Sequence, residues 1–235
     1  TLFRSKKAIL AIAATGMLFG LFGCNHSEVK TLKPTQAAEL TPMQQSWRGV
    51  IPCADCEGIE TSLFLEKDGT WVMNERYQGV SREPSSFGSY GTWARTADKL
   101  VLTDSEGEKS YYRAKGEKLE MLDREGNPIE SKLNYTLEPV KASLPTTPMA
   151  MRGMYFYMAD AATFTDCATG QRVAVANNAQ LERDYAAAQG SDSKPILLVV
   201  DGHFTVEPNP DTGAMVKTLA TDKNAKFVAG KGCAN

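Results

Sequence analysis

The segment Thr61-Ser62-Leu63-Phe64-Leu65-Glu66-Lys67-Asp68-Gly69-Thr70-Trp71-Val72-Met73 points most directly to the fold class. Two short apolar runs flank Lys67-Asp68-Gly69, and an Asp-Gly pair between such runs is a strong local signal for an antiparallel hairpin. Moving outward, Gly-Thr-Trp returns at Gly91-Thr92-Trp93, and Ala97-Asp98-Lys99 turns into Leu100-Val101-Leu102. Further turn chemistry stands at Ser105-Glu106-Gly107 and Arg124-Glu125-Gly126-Asn127. Strands at roughly 8–12-residue spacing, without helices between them, predict a meander that closes into a small antiparallel barrel over residues 47–138.

Pro139, Pro145 and Pro148 then mark a linker over residues 139–150. From residue 151 to 235 the texture changes. Met154–Tyr157, Ala162–Asp166 and Arg172–Val175 read as strands, with Cys167-Ala168-Thr169-Gly170 turning between the last two. Asn177 and Asn178 offer an N-cap, Leu181, Tyr185 and Ala188 share one helical face, and Gly190 ends the helix. Strand pattern resumes at Ile196–Val200 and His203–Val206. Three strands, one helix and more strands is the order of an OB-fold. The expected fold class is therefore mainly β: a small antiparallel barrel, then an OB-fold domain with one helix.

The amino-terminal segment reads as targeting sequence rather than fold. Arg4, Lys6 and Lys7 precede the uncharged stretch Ala8–Phe22, whose ~22 Å of helix is too short for a ~30 Å hydrocarbon core. Leu21-Phe22-Gly23-Cys24 resembles the bacterial lipobox, although Phe22 stands where a small residue is usual. Residues 1–23 are thus expected to be a signal peptide and Cys24 the lipidated residue, with acyl chains holding it in a bilayer. By resemblance to enterobacterial lipoprotein sorting, Asn25 does not read as an inner-membrane retention signal, which an aspartate would be, and outer-membrane sorting is implied. Residues 24–46, polar and broken by Pro34 and Pro42, read as a tether.

Composition narrows function further. The chain has 42% hydrophobic residues and a formal net charge of −2, which excludes disorder and lacks the basic footprint of nucleic-acid binding. Two histidines, His26 and His203, supply neither a hydrolase relay nor a histidine-rich metal cage. His203 reads as a strand residue rather than a ligand. No enzyme activity is expected.

Cysteine carries the remaining chemistry. With Cys24 lipidated, Cys53, Cys56, Cys167 and Cys233 form an even set in an oxidising compartment, and three pairings are open. The local option joins Cys53 to Cys56 and Cys167 to Cys233; the latter closes a loop worth roughly 4 kcal/mol on the chain-entropy model. For Cys53-Ala54-Asp55-Cys56 three readings stand. A catalytic redox pair needs a thiolate at a helix N-terminus, yet Pro52 and Gly58 flank a turn and Asp55 and Glu57 oppose ionisation. A structural disulfide suits the compartment. Reduced thiolates would suit Cu(I) or Zn, with Met43 or Met73 as a thioether donor.

Met43–Asn74, Ser89–Thr103 and Arg152–Gly170 resemble the NlpE/CutF family of envelope-stress and copper-homeostasis lipoproteins, most specifically through Trp47-Arg48-Gly49 followed by Pro52-Cys53-Ala54-Asp55-Cys56. The resemblance implies a lipocalin-like first barrel and an OB-fold second domain. It also implies an outer-membrane lipoprotein, handled by the lipoprotein sorting machinery, that activates the Cpx pathway through the inner-membrane sensor kinase CpxA. Surface contact, failed lipoprotein transport and redox or copper stress are the implied stimuli. No resident cofactor is expected; the alternative is a lipoprotein that binds copper or a small ligand directly.

Overall fold

The computed structural model describes residues 45–96, 98–176, 178–191 and 193–234. The expected signal peptide, Cys24, Asn25 and nearly all of the expected tether lie outside the described residues. Among the described residues no helix is long and apolar enough to cross a membrane.

The first eight strands are β1 (Gln45–Ile51), β2 (Gly58–Leu65), β3 (Thr70–Gln78), β4 (Ser86–Thr96), β5 (Lys99–Asp104), β6 (Lys109–Lys115), β7 (Lys118–Met121) and β8 (Thr136–Val140). Each pairs with its neighbour in sequence, and β1 pairs antiparallel with β8 to close the barrel. The β2–β3 hairpin turns at Asp68-Gly69: Gly69 has φ +85°, a conformation that favours glycine, and the Asp68 carboxylate accepts the Thr70 N–H at 3.0 Å. Period two then places Leu63 and Leu65, Trp71 and Met73, and Leu100 and Leu102 inside, with Trp47, Tyr112, Leu119 and Leu137. The recurrence of Gly-Thr-Trp has a packing cause. Trp71 lies opposite Gly91, where an added Cβ would stand 1.9 Å from the Thr103 carbonyl. The Trp71 indole N–H donates to Thr92 O at 3.0 Å, and that of Trp93 to Glu66 O at 3.0 Å.

The second barrel comprises β9 (Met149–Met158), β10 (Ala161–Asp166), β11 (Arg172–Ala176), β12 (Ile196–Pro208) and β13 (Met215–Val228), closed in the order β10-β11-β13-β12-β9. Pairing is antiparallel except between β11 and β13. The helix α1 (Ala179–Gln189) buries Leu181 and Tyr185 in the core, where the Tyr185 ring meets Tyr155 edge-on at 5.3 Å and its hydroxyl donates to Lys194 O at 2.7 Å.

Three local differences from the sequence reading have physical causes. The two runs expected around Asp201-Gly202 are one strand, β12, which shifts register at Val199, Asp201 and Gly202 and so bends without ending. Regular structure also enters both ends of the proline-rich segment, since β8 reaches Val140 and β9 starts at Met149. Pro139 is tolerated because it lies beyond the last β7–β8 pair, Leu119 with Leu137, and pairs only with Trp47 of β1. Between these strands the chain is anchored rather than free: Leu144 packs on the core and Thr147 Oγ1 donates to Asn74 Oδ1 at 2.6 Å.

Candidate functional site

Strands β2 and β3 bury both faces. Leu63, Leu65, Trp71 and Met73 fill the first barrel, while Phe64 and Val72, pointing the other way, join Tyr90 in a cluster with Met149, Met151 and Phe204 of the second barrel. Gly88 of β4 makes room for this contact, because an added Cβ would meet Met149 Cγ at 2.7 Å. Tyr90 meets Phe204 edge-on at 5.6 Å.

Polar groups are set around this apolar seam. On one side, the Tyr90 hydroxyl donates to Asp166 Oδ1 at 2.7 Å, and both residues are only 2% exposed. The second oxygen of Asp166 accepts the Thr169 N–H and hydroxyl, each at 2.8 Å, and thereby holds the turn that carries Cys167. Burial, and then the Asp166 negative charge, push the Tyr90 hydroxyl far above its ordinary pKa, so it stays a donor. On the other side, the Lys217 ammonium of β13 bonds to the Glu66 carboxylate, sits 2.8 Å from Thr70 Oγ1 and 3.4 Å from Asp68 Oδ2, and lies 4.2 Å from the centre of the Phe204 ring. Burial alone would raise the Asp68 pKa; hydrogen bonds from Thr70 and the Lys217 charge outweigh it and hold the carboxyl below its usual range. Gln171 Nε2 donates to Asp68 O at 3.2 Å, a third link between the barrels.

Beside this seam runs a cleft of about 610 Å³, floored by Phe64, Leu144 and Phe204 and edged by Glu66, Lys141 and His203. His203 Nδ1 stands 2.8 Å from Asp222 Oδ2, so a strand carboxylate is its partner.

The four cysteines of the body form two disulfides. Cys53–Cys56 closes the turn between β1 and β2, with Cα atoms 5.3 Å apart. Cys167–Cys233 spans a sequence separation of 66, with Cα atoms 5.2 Å apart, and ties the chain beyond β13 to the turn after β10. The Arg152 guanidinium, 3.4 Å from Gly232 O, and the Cys167 N–H, 2.9 Å from Arg152 O, bind this junction to β9. The copper or zinc reading of Cys53 and Cys56 applies to reduced thiols, whereas this structure holds the pair oxidised. Both sulfurs of the Cys-x-x-Cys turn are consumed in a disulfide, and among the described residues no three histidine, cysteine, aspartate or glutamate side chains gather as a metal-ligand group.

Sequence reading placed the cysteines but missed Glu66, Asp68, Tyr90, Asp166 and Lys217 as one constellation. A signal for the seam did exist: Leu63-Phe64-Leu65 and Trp71-Val72-Met73 do not alternate with polar residues, as a half-exposed sheet would.

This fold and site define a two-barrel β protein whose barrels meet at a buried, charge-rimmed seam, each barrel carrying one disulfide of its own. The family model for the NlpE N-terminal domain matches residues 47–132, and that for the NlpE C-terminal OB domain matches residues 145–234. The chain is 72% identical over 231 residues to lipoprotein NlpE of Escherichia coli strain K12, covering 98% of each chain. It belongs to the NlpE family. A 17 kDa lipoprotein of Treponema pallidum is 34% identical over 80 residues, which are 33% of this chain and 50% of that one. Among solved structures, the Cpx pathway activator NlpE from Escherichia coli is 74% identical over 82% of this chain and 100% of that chain, at a TM-score of 0.41. A putative lipoprotein from Shewanella oneidensis is 33% identical over 42% of this chain and 90% of that chain, at a TM-score of 0.36.

Proposed function

We propose that this chain is a non-enzymatic envelope-stress sensor: an outer-membrane lipoprotein, anchored through Cys24 and facing the periplasm, that activates the Cpx pathway by contact with the sensor kinase CpxA. The observation that carries the reading is 72% identity to Escherichia coli lipoprotein NlpE over 98% of both chains, a relative whose solved structure bears the description of a Cpx pathway activator. In this reading residues 1–23 are the signal peptide, residues 24–46 the lipidated cysteine and tether, the first barrel is lipocalin-like and the second an OB-fold.

The first barrel carries the kinase contact. A tether of about 20 residues spans at most ~70 Å when fully stretched, so anchoring in the outer membrane keeps the body from an inner-membrane partner. Stalled transport leaves it beside that partner at a high effective concentration. The test uses a bacterium that lacks its own NlpE and carries a Cpx-responsive reporter. Asn25→Asp, which by the sorting rule retains the protein at the inner membrane, should raise the reporter, and Cys24→Ala should abolish the response. A silent reporter with Asn25→Asp present at the inner membrane overturns the reading.

A further inference from the structure

We propose that the face of the first barrel now covered by the second is a docking surface for a partner segment that presents an arginine or lysine beside an aromatic side chain, and that the second barrel is its built-in occupant. This rests on the reading that the first barrel meets the sensor kinase, and it names the surface used. Strands β2 and β3 present Phe64 and Val72, with Tyr90 of β4, as an apolar patch on the outside of a barrel whose interior is filled by other residues. With the second barrel displaced, this patch becomes exposed apolar surface, the usual mark of an interaction site.

The present occupant shows what the surface takes. Phe204 lies against Tyr90, and the Lys217 ammonium, stacked over Phe204, reaches the acceptors of Glu66, Thr70 and Asp68. The ammonium bonds Glu66 and stands 3.4 Å from Asp68 Oδ2. A guanidinium, with five donors in a planar fork, could engage both carboxylates. Other polar links across the seam are single, exchangeable hydrogen bonds: Tyr90 to Asp166, Gln171 to Asp68 O, and Thr147 to Asn74. A partner of matching chemistry therefore competes with residues of the second barrel for the same acceptors, and need unfold neither barrel.

Substitutions on the two sides of the seam separate opening from docking. Full-length lipidated protein in nanodiscs is compared as wild type, Lys217→Met, Lys217→Arg, Tyr90→Phe and the double variant Glu66→Gln with Asp68→Asn. Opening is read as the rate of protease cutting in the 141–148 segment, and docking as affinity for the purified periplasmic domain of the sensor kinase. Lys217→Met should speed cutting several-fold and tighten kinase binding at least about tenfold, because the occupant is weakened and the surface is intact. Lys217→Arg, whose guanidinium can reach both carboxylates, should be cut no faster than wild type and bind the kinase no more tightly. The carboxylate double variant should also be cut faster yet bind more weakly than Lys217→Met. Tyr90→Phe, which keeps the ring and loses only the bond to Asp166, should be cut faster and bind tighter, and serves if Lys217→Met does not fold. Wild-type binding that Lys217→Met leaves unchanged despite faster cutting overturns the proposal, as does a double variant that binds as tightly as Lys217→Met. Absence of binding by every variant, with cutting rates still responding, overturns the first-barrel contact itself and is recognised by that pattern.

Discussion

Asp166 has both carboxylate oxygens committed, one to Tyr90 across the seam and one to the Thr169 turn beside Cys167. Asp166→Ala would leave a buried hydroxyl and a turn N–H without partners, so it should cost about 2–4 kcal/mol in denaturant unfolding. A variant with wild-type stability would show that water replaces those bonds. Tyr112 poses the opposite case. Its hydroxyl is buried without a hydrogen-bond partner, and burial followed by the nearby Glu75 charge keeps it un-ionised. Tyr112→Phe is therefore expected to leave the melting temperature unchanged or raise it; a fall of several degrees would reveal a hidden partner. Asp68 gives the pH dependence its sign. Its folded pKa is depressed, so its contribution is full above the unfolded carboxylate value of about 3.9 and is lost as pH falls through the lower folded value. The stability difference between wild type and Asp68→Asn, measured between pH 6 and pH 2.5, should shrink towards zero only at the acid end.

Among the elements, the chain beyond β13 depends most on a single covalent link. The Cys167–Cys233 loop, with its sequence separation of 66, is worth roughly 4 kcal/mol, whereas the short Cys53–Cys56 loop is worth about half that. Cys233→Ser should speed hydrogen exchange in β10 and β13 well before that of β2 and β3, and equal protection in all four strands would show that the staple is dispensable. Legibility also varied by element. The β2–β3 hairpin was readable because Asp68-Gly69 fixes a turn chemically, and α1 because Leu181 and Tyr185 keep helical spacing. Strand β13 left almost no signal. It runs through Lys217, Thr218, Thr221, Lys223, Asn224 and Lys226 and buries only Thr218 and Leu219, so its place is set by pairing with β11 and β12 rather than by its own pattern. The charged seam was invisible for a related reason, since Glu66 and Lys217 are neighbours only after both barrels have closed.

At the scale of the whole molecule, the two barrels share a cluster that contains Phe64, Val72 and Tyr90 from one and Phe204 from the other. Cutting between Val140 and Met149 and then separating the products should leave a first barrel that self-associates, visible as concentration-dependent light scattering. A monodisperse first barrel would mean that the patch is too small to drive association. The strand register carries a mechanical consequence. The chain enters the first barrel at Gln45 and leaves it at Val140, and these ends are neighbours: Ser46 pairs with Val140 and its hydroxyl donates to Val140 O at 2.6 Å. Tension between the amino-terminal lead and the second barrel therefore does not stretch the first barrel along its length. It pulls apart two antiparallel strands at their common end, parting Ser46–Val140, then Trp47–Pro139, then Arg48–Glu138. Bonds taken one after another yield to a smaller force than the same bonds sheared together, so β1 is where a pulled molecule would come undone first.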